Sequence, residues 1–283
     1  MPIPRLQLLI IDPQNDFCDL AAAALPVPGA TADMQRLSQL IQAQGHLLDA
    51  IHVTLDTHQK LDIAHPSWWC NASGEAPPPF TQISIADIEN GIWQARHPQQ
   101  QAYSLAYVQA LAQSGRYQLM VWPEHCLQGS WGQQVHDGLA KSLADWESDY
   151  GLKVNYIRKG YNPNTEHYSA IQAEVPDPAD PASQVDTVWI AMLARADTLL
   201  IAGQALSHCV ASTIDDLPAQ LGESYLQKMW LLNDCSSPVP GFEMIADTFI
   251  SKMRIRGMHS VCSREVDLSQ LTATSQSKEQ HHA

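Results

Sequence analysis

Leucine, isoleucine and valine gather in short continuous runs along this chain, and between the runs apolar positions recur three and four residues apart. The first pattern predicts strands buried on both faces; the second predicts amphipathic helices laid over them. Residues 6–12, 49–56, 153–159, 198–203, 228–234 and 259–263 are the strand candidates, the last being the weakest pattern. Helical stripes are Met34, Leu37 and Ile41, with Thr31 as N-cap and Gly45 as stop; Val135, Leu139, Leu143 and Trp146; and Val185, Val188, Trp189 and Met192. Two more are Val210, Ile214, Leu217 and Leu221, where Pro218 should kink or end the helix, and Ile245, Phe249 and Met253. Alternation of this kind predicts a three-layer α/β/α fold around a parallel sheet.

Residues 66–121 break the rhythm. They open with a turn-rich stretch containing three consecutive prolines and continue into a helical pattern near residues 102–113. We read them as an insertion on one main domain of residues 1–267. The rings of Trp68, Trp69, Trp93, Tyr103 and Tyr107 either pack the insertion down or roof a pocket. Residues 268–283 are polar and read as a fraying tail.

Charge narrows the function. The chain carries 16 basic and 30 acidic residues, a formal net charge of −14, which argues against nucleic acid or an anionic membrane as partner. No apolar stretch approaches a membrane span, and the first residues lack the pattern of a signal peptide. Six cysteines, none in a CxxC pair, fit reduced thiols and a cytoplasmic location.

Four strand candidates end in, or run into, a reactive side chain: Asp12, Asp56, Lys159 and Cys209. Parallel strands bring such residues to one edge of the sheet, where α/β proteins form their sites. Cys209 follows its strand at the start of a helix, with Ser207 as expected N-cap. A helix N-terminus and a nearby lysine both lower a thiol pKa, and the same turn aims backbone N–H groups at an oxyanion. The plain alternative for a lone cysteine is a small buried hydrophobe. A second group joins Asp56 and His58, two apart, with His125 from a separate loop; one carboxylate and two imidazoles suit a first-row divalent metal. His65 is a weaker candidate for the same site.

Taken together, residues 8–19, 24–30, 53–58, 122–132, 157–171 and 201–217 resemble, in order, the motifs of the isochorismatase-like cysteine hydrolases, most closely the nicotinamidases. The resemblance implies a six-stranded parallel sheet and a triad of Asp12, Lys159 and Cys209. It also implies a metal, zinc first with manganese or iron as alternatives, on Asp56, His58 and His125. It implies an oxyanion hole from the backbone amides of Ala205 and Cys209, with a cis peptide at Gln204–Ala205, and pocket aromatics Phe17 and Trp122. A homo-oligomer and a small-molecule amide substrate are expected on the same ground. Three features depart from the family's pattern: His208 stands where nicotinamidases usually carry tyrosine, Gln204 replaces a small aliphatic residue, and the insertion is long. All three are expected to touch the pocket. The expected reaction is hydrolysis of a small carboxamide through a cysteine thioester, with nicotinamide as substrate. The alternatives are a carbamoyl, ureido or aliphatic amide on the same triad, an isochorismatase-type vinyl-ether hydrolysis, and a non-catalytic binding protein.

Overall fold

The computed structural model describes residues 5–271. Six parallel strands form the central sheet: β1 (Leu6–Ile11), β2 (Ala50–Asp56), β7 (Asn155–Lys159), β8 (Thr198–Gly203), β9 (Met229–Leu232) and β10 (His259–Val261), in the order β10-β9-β8-β1-β2-β7. The strand runs are apolar because this sheet is covered on both faces: β1 and β8 are buried along their whole length. The four other strands, β3 (Trp69–Cys70), β4 (Thr81–Ile83), β5 (Gln94–Ala95) and β6 (Leu119–Val121), lie in or at the end of the insertion and pair antiparallel, β3 with β5 and β4 with β6.

Helices surround the sheet: α1 (Ala30–Gln44), α4 (Asp137–Tyr150), α5 (Thr187–Leu193), α6 (Ala211–Leu221) and α7 (Glu243–Ile255). The chain moves outward from β1 to β2 and β7, then returns to build β8, β9 and β10 on the other side. Right-handed crossovers put α1 and α4 on one face and α6 and α7 on the other. The switch of direction lies between β1 and β8, which is where an α/β sheet opens a crevice at its carboxyl edge.

Several local expectations change. The N-cap of α1 is Gly29, in the left-handed region, and Asp19 accepts the Gly29 and Thr31 amides in place of a Thr31 cap. Gly45 does end the helix. Val188 and Ile245 face solvent, at 73% and 48% exposure; the inward stripe of α7 is Ala246, Phe249 and Met253. The helix α6 continues only three residues past Pro218. Leu268, expected in the tail, is buried in the core, and its amide bonds Gln44 Oε1. Residues 272–283 of the expected tail lie outside the described residues.

The insertion carries α2 (Ile85–Glu89) and α3 (Gln101–Ser114) and builds an apolar cluster of its own around Trp68, Trp69, Ile83, Val108 and Leu111. Trp68 and Trp69 are fully buried there, their ring N–H groups donating to Ser104 Oγ and to the Ile63 carbonyl.

Candidate active site and metal centre

β1 delivers Asp12, one residue past its end and at a φ of +43°. The amide of Asp12 donates to Thr54 Oγ1 at 3.0 Å, and the Thr54 hydroxyl donates back to Asp12 Oδ1 at 2.6 Å. In the next strand pair, Asp56 and Lys159 sit directly opposite one another. The end of β8 must pass very close to β1: at Gly203, with a φ of +115°, any Cβ would fall 1.9 Å from the Ile11 carbonyl oxygen. After the cis peptide between Gln204 and Ala205, the chain makes a wide π-type turn over Leu206–Val210. There the Val210 amide bonds back to the Ala205 carbonyl, and the turn carries Cys209 into α6.

Lys159 is the hub. Its ammonium lies 3.0 Å from Asp12 Oδ2, 3.1 Å from Asp56 Oδ1, 2.7 Å from the His167 carbonyl and 3.6 Å from Cys209 Sγ. Burial works against its charge, but Asp12, Asp56 and Cys209 outweigh burial and hold its proton well above the usual lysine range. Burial raises the Asp12 pKa, and Asp56 adds to this, against the pull of Lys159 and Thr54.

Cys209 behaves differently from the sequence expectation. Burial, together with Asp12 and Asp56, pushes its thiol well above the ordinary value despite Lys159. The Lys159 ammonium, 3.6 Å from the sulfur, pulls the other way without offsetting them. Ser207 is no N-cap. Its Oγ accepts the Val239 amide and bonds His208 Nδ1 at 2.9 Å.

Beside the triad the histidines converge. His58 Nδ1 bonds Asp62 Oδ2 at 2.9 Å, and His125 Nδ1 bonds the Pro123 carbonyl at 2.8 Å. Those acceptors place the ring hydrogens on Nδ1 and leave both Nε2 atoms facing Asp56 Oδ2, at 3.1 Å and 3.6 Å. Two imidazole lone pairs aimed at one carboxylate oxygen call for a cation between them, a proton or a metal ion, so the residues fit a divalent metal. Burial disfavours charge on His58, but Asp56 and Asp62 more than offset it and raise its pKa well above the usual histidine value. His65 joins the group: His58, His65 and His125 offer ligand atoms within 4.8 Å of one another, and His65 Nδ1 is buried without a hydrogen-bond partner.

The cleft over Cys209 is lined by Phe17, Leu25, Asp56, Trp122, His125, Glu166, Tyr168, Ala205, His208 and Val239. His208 is wedged edge-on against Trp122 and Phe242, with ring centroids 5.1 Å and 4.7 Å away, and burial lowers its pKa to about 4. Gln204 does not reach the cleft; its amide donates to Asp33 Oδ2 and its carbonyl accepts the Ser237 amide. No residue of the insertion lines the cleft. Instead α3 braces the wall from behind: Tyr107 OH accepts the Glu166 amide at 2.9 Å and Tyr103 OH donates to the Asn164 carbonyl at 2.8 Å. The cleft is therefore not closed off by the insertion, and Trp68 and Trp69 are packing residues.

Sequence reasoning overlooked Thr54, Asp62, Glu166 and Tyr168. Glu166 is buried, with Oε2 unpartnered, and Tyr168 OH accepts the Trp122 ring N–H at 2.8 Å. Their shared signal was the stretch of residues 164–171, which carries both side chains after Lys159.

No protein-family model matches the chain. The nicotinamidase of Escherichia coli (strain K12) is 27% identical over 221 residues, 78% of this chain and 79% of that protein. The yeast nicotinamidase Pnc1p, in its crystal structure bound to the inhibitor nicotinaldehyde, superimposes with a TM-score of 0.63 at 20% identity, covering 91% of this chain and 99% of that one. The pyrazinamidase of Pyrococcus horikoshii, in complex with zinc, gives a TM-score of 0.54 at 18% identity over 92% of this chain and 99% of its own. In fold the chain matches these solved hydrolases, and in sequence it is similar to the nicotinamidases.

Proposed function

We propose that the chain hydrolyses a small carboxamide through a cysteine thioester, with nicotinamide as the substrate and nicotinate and ammonia as products. The observation that carries this reading is Lys159 held between Asp12 and Cys209, with Asp56 joining that group to the histidine cluster in one cleft. Asp12 takes the thiol proton as Cys209 Sγ attacks the amide carbon. The oxyanion rests on the backbone amides of Ala205 and Cys209; neighbouring amides at Leu206, His208 and Val210 are already bonded to carbonyls. Asp12 returns the proton to the leaving nitrogen, ammonia departs and a thioester remains. Asp12 then takes a proton from water as it attacks the thioester, and the acid leaves as the thiol is restored. Lys159 stays charged throughout and holds the Asp12 carboxylate in place.

Asp56, His58 and His125, with His65 beside them, would hold the divalent ion, which when bound offers a Lewis-acid contact to a ring nitrogen of the substrate. Zinc leads because it is the metal in the Pyrococcus structure, while the donor set also suits manganese and iron. Phe17 and Trp122 would flank the ring. His208, a neutral imidazole in the cleft where nicotinamidases usually have tyrosine, favours a second reading in which another small amide, carbamoyl or ureido compound is preferred.

Ammonia release across a panel of such compounds tests both. Nicotinamide should rank first, and Cys209→Ala should abolish release from every member with the fold intact by circular dichroism. Turnover by Cys209→Ala would overturn the mechanism. A top rank for an aliphatic or ureido compound would overturn the substrate alone.

A further inference from the structure

At the amino edge of the sheet, opposite the cleft, lies a hollow of about 350 Å³ lined by Arg5, Gln7, Asp49, His52, Lys153, Asn155 and Arg195 with their neighbours. That volume is in the range of small-molecule sites. It is separate from the active cleft: β1, β2 and β7 contribute its wall at their starts and Asp12, Asp56 and Lys159 at their far ends.

The charge at this hollow is unusual for so acidic a chain. Arg5, Lys153 and Arg195 all line it, and among the described residues the side chain of none of the three makes an ion pair or hydrogen bond, although Asp197 Oδ2 accepts the Arg5 backbone amide at 2.9 Å. Among the other described residues, Arg36, Arg116, Lys141, Lys159, Lys252 and Arg256 are engaged with carboxylates, and Arg96 and Lys228 with carbonyls. The one carboxylate lining the hollow, Asp49, is tied to the Leu6 amide at 2.7 Å. Three cations less one anion leave a net charge of +2.

The floor is polar and fixed. The Trp189 ring N–H donates to His52 Nδ1, which leaves the His52 Nε2 hydrogen for Gln7 Oε1, and the Gln7 amide donates to the Met192 carbonyl. Burial lowers the His52 pKa to about 4. These groups neither need a ligand nor collapse into the space.

We propose that this hollow binds a small phosphate-bearing anion. Two guanidinium forks and an ammonium above a neutral polar floor suit phosphoryl oxygens, and the net charge matches a dianion. Titration calorimetry of the full-length protein at low salt, with pyrophosphate and with ADP as probes, tests this. Pyrophosphate should bind and weaken as salt rises. Tighter binding of ADP would show that the hollow also takes an organic body; equal binding would show recognition of the phosphoryl groups alone. Arg5→Gln, Lys153→Gln and Arg195→Gln combined should weaken binding at least tenfold, while Arg254→Gln with Arg264→Gln, exposed cations elsewhere, should not. Amide hydrolysis should be unchanged in the triple variant, which shows that it folds. No binding by the wild type, or equal loss in both variants, would overturn the proposal.

Discussion

Thr54 and Asp12 are locked together by two hydrogen bonds: Thr54 Oγ1 accepts the Asp12 amide at 3.0 Å and donates its own hydrogen to Asp12 Oδ1 at 2.6 Å. The pair leaves Oδ2 for Lys159 and fixes the orientation of the proposed base. Replacing Thr54 by valine keeps the branched shape and removes both bonds. We expect a loss of about tenfold to a hundredfold in kcat, with KM little changed, because the effect falls on positioning and not on binding. Thr54→Ser should retain most activity. Equal activity in Thr54→Val and wild type would remove the hydroxyl from the mechanism.

Lys159 separates stability from catalysis. Its ammonium is buried between two carboxylates, so Lys159→Met leaves Asp12 and Asp56 without their counter-ion. Breaking a buried pair in this way costs about 3–5 kcal/mol, and denaturant unfolding should show it. Asp12→Asn removes one of the two anions and the base together. It should fold well and lose at least about two orders of magnitude in turnover. Near-normal turnover by Asp12→Asn would exclude it as the base.

The strand ends were readable because a parallel sheet collects them at one edge: Asp12 and Asp56 close apolar runs, and Lys159 ends the mixed strand beside them. Their supports were not readable, since each depends on a contact that no local pattern encodes. Thr54 is one of several residues inside a strand, and only the β1–β2 register brings it to Asp12. Glu166 and Tyr168 stand on a loop braced by Tyr107, about sixty residues away in sequence. For the Cys209 thiol the turn and the lysine are visible in the sequence, and Lys159 does pull its pKa down, while the burial and the two carboxylates that outweigh it are not visible. Gln204 flanks the cis peptide as its position suggests, yet its side chain turns away to Asp33.

The insertion gives a prediction of the opposite kind. Trp68 is wholly buried in the cluster of α3 and lines no cleft. Trp68→Ala should cost about 3–5 kcal/mol of stability through the cavity it leaves. The ranking of substrates in an amide panel should stay as it is. A changed ranking at unchanged stability would restore the pocket-roof role.

Glu174 sets a pH dependence of stability. Burial, with Asp216 and Glu166 nearby, raises its pKa from 4.5 to about 7 against the pull of Arg116, and its Oε1 is buried without a partner. The unfolded chain releases this proton near the ordinary carboxylate value, whereas the folded chain keeps it to about pH 7. Between those values the folded state binds more protons, so stability falls as pH rises and levels off above the folded pKa. The accumulated loss is about 3 kcal/mol. Glu174→Gln should match the wild type near pH 4 and be more stable by about that amount at pH 8, measured by urea unfolding at both values. An identical pH profile in the two proteins would show that Glu174 ionises freely.

Asp62 tests the metal centre without touching an expected ligand. Its Oδ2 holds the His58 Nδ1 hydrogen at 2.9 Å and its Oδ1 accepts the Ala64 amide. That carboxylate fixes the tautomer in which His58 Nε2 faces Asp56, and it makes the imidazole a better donor. Losing such a partner ordinarily costs about tenfold to a hundredfold in metal affinity. Asp62→Asn should therefore bind Zn²⁺ that much more weakly in equilibrium dialysis, and His58→Ala more weakly still. Elemental analysis of the purified protein should find a divalent metal. Protein that carries none and takes up neither Zn²⁺, Mn²⁺ nor Fe²⁺ would sink the site, and the cation between the two Nε2 atoms would then be a proton on His58.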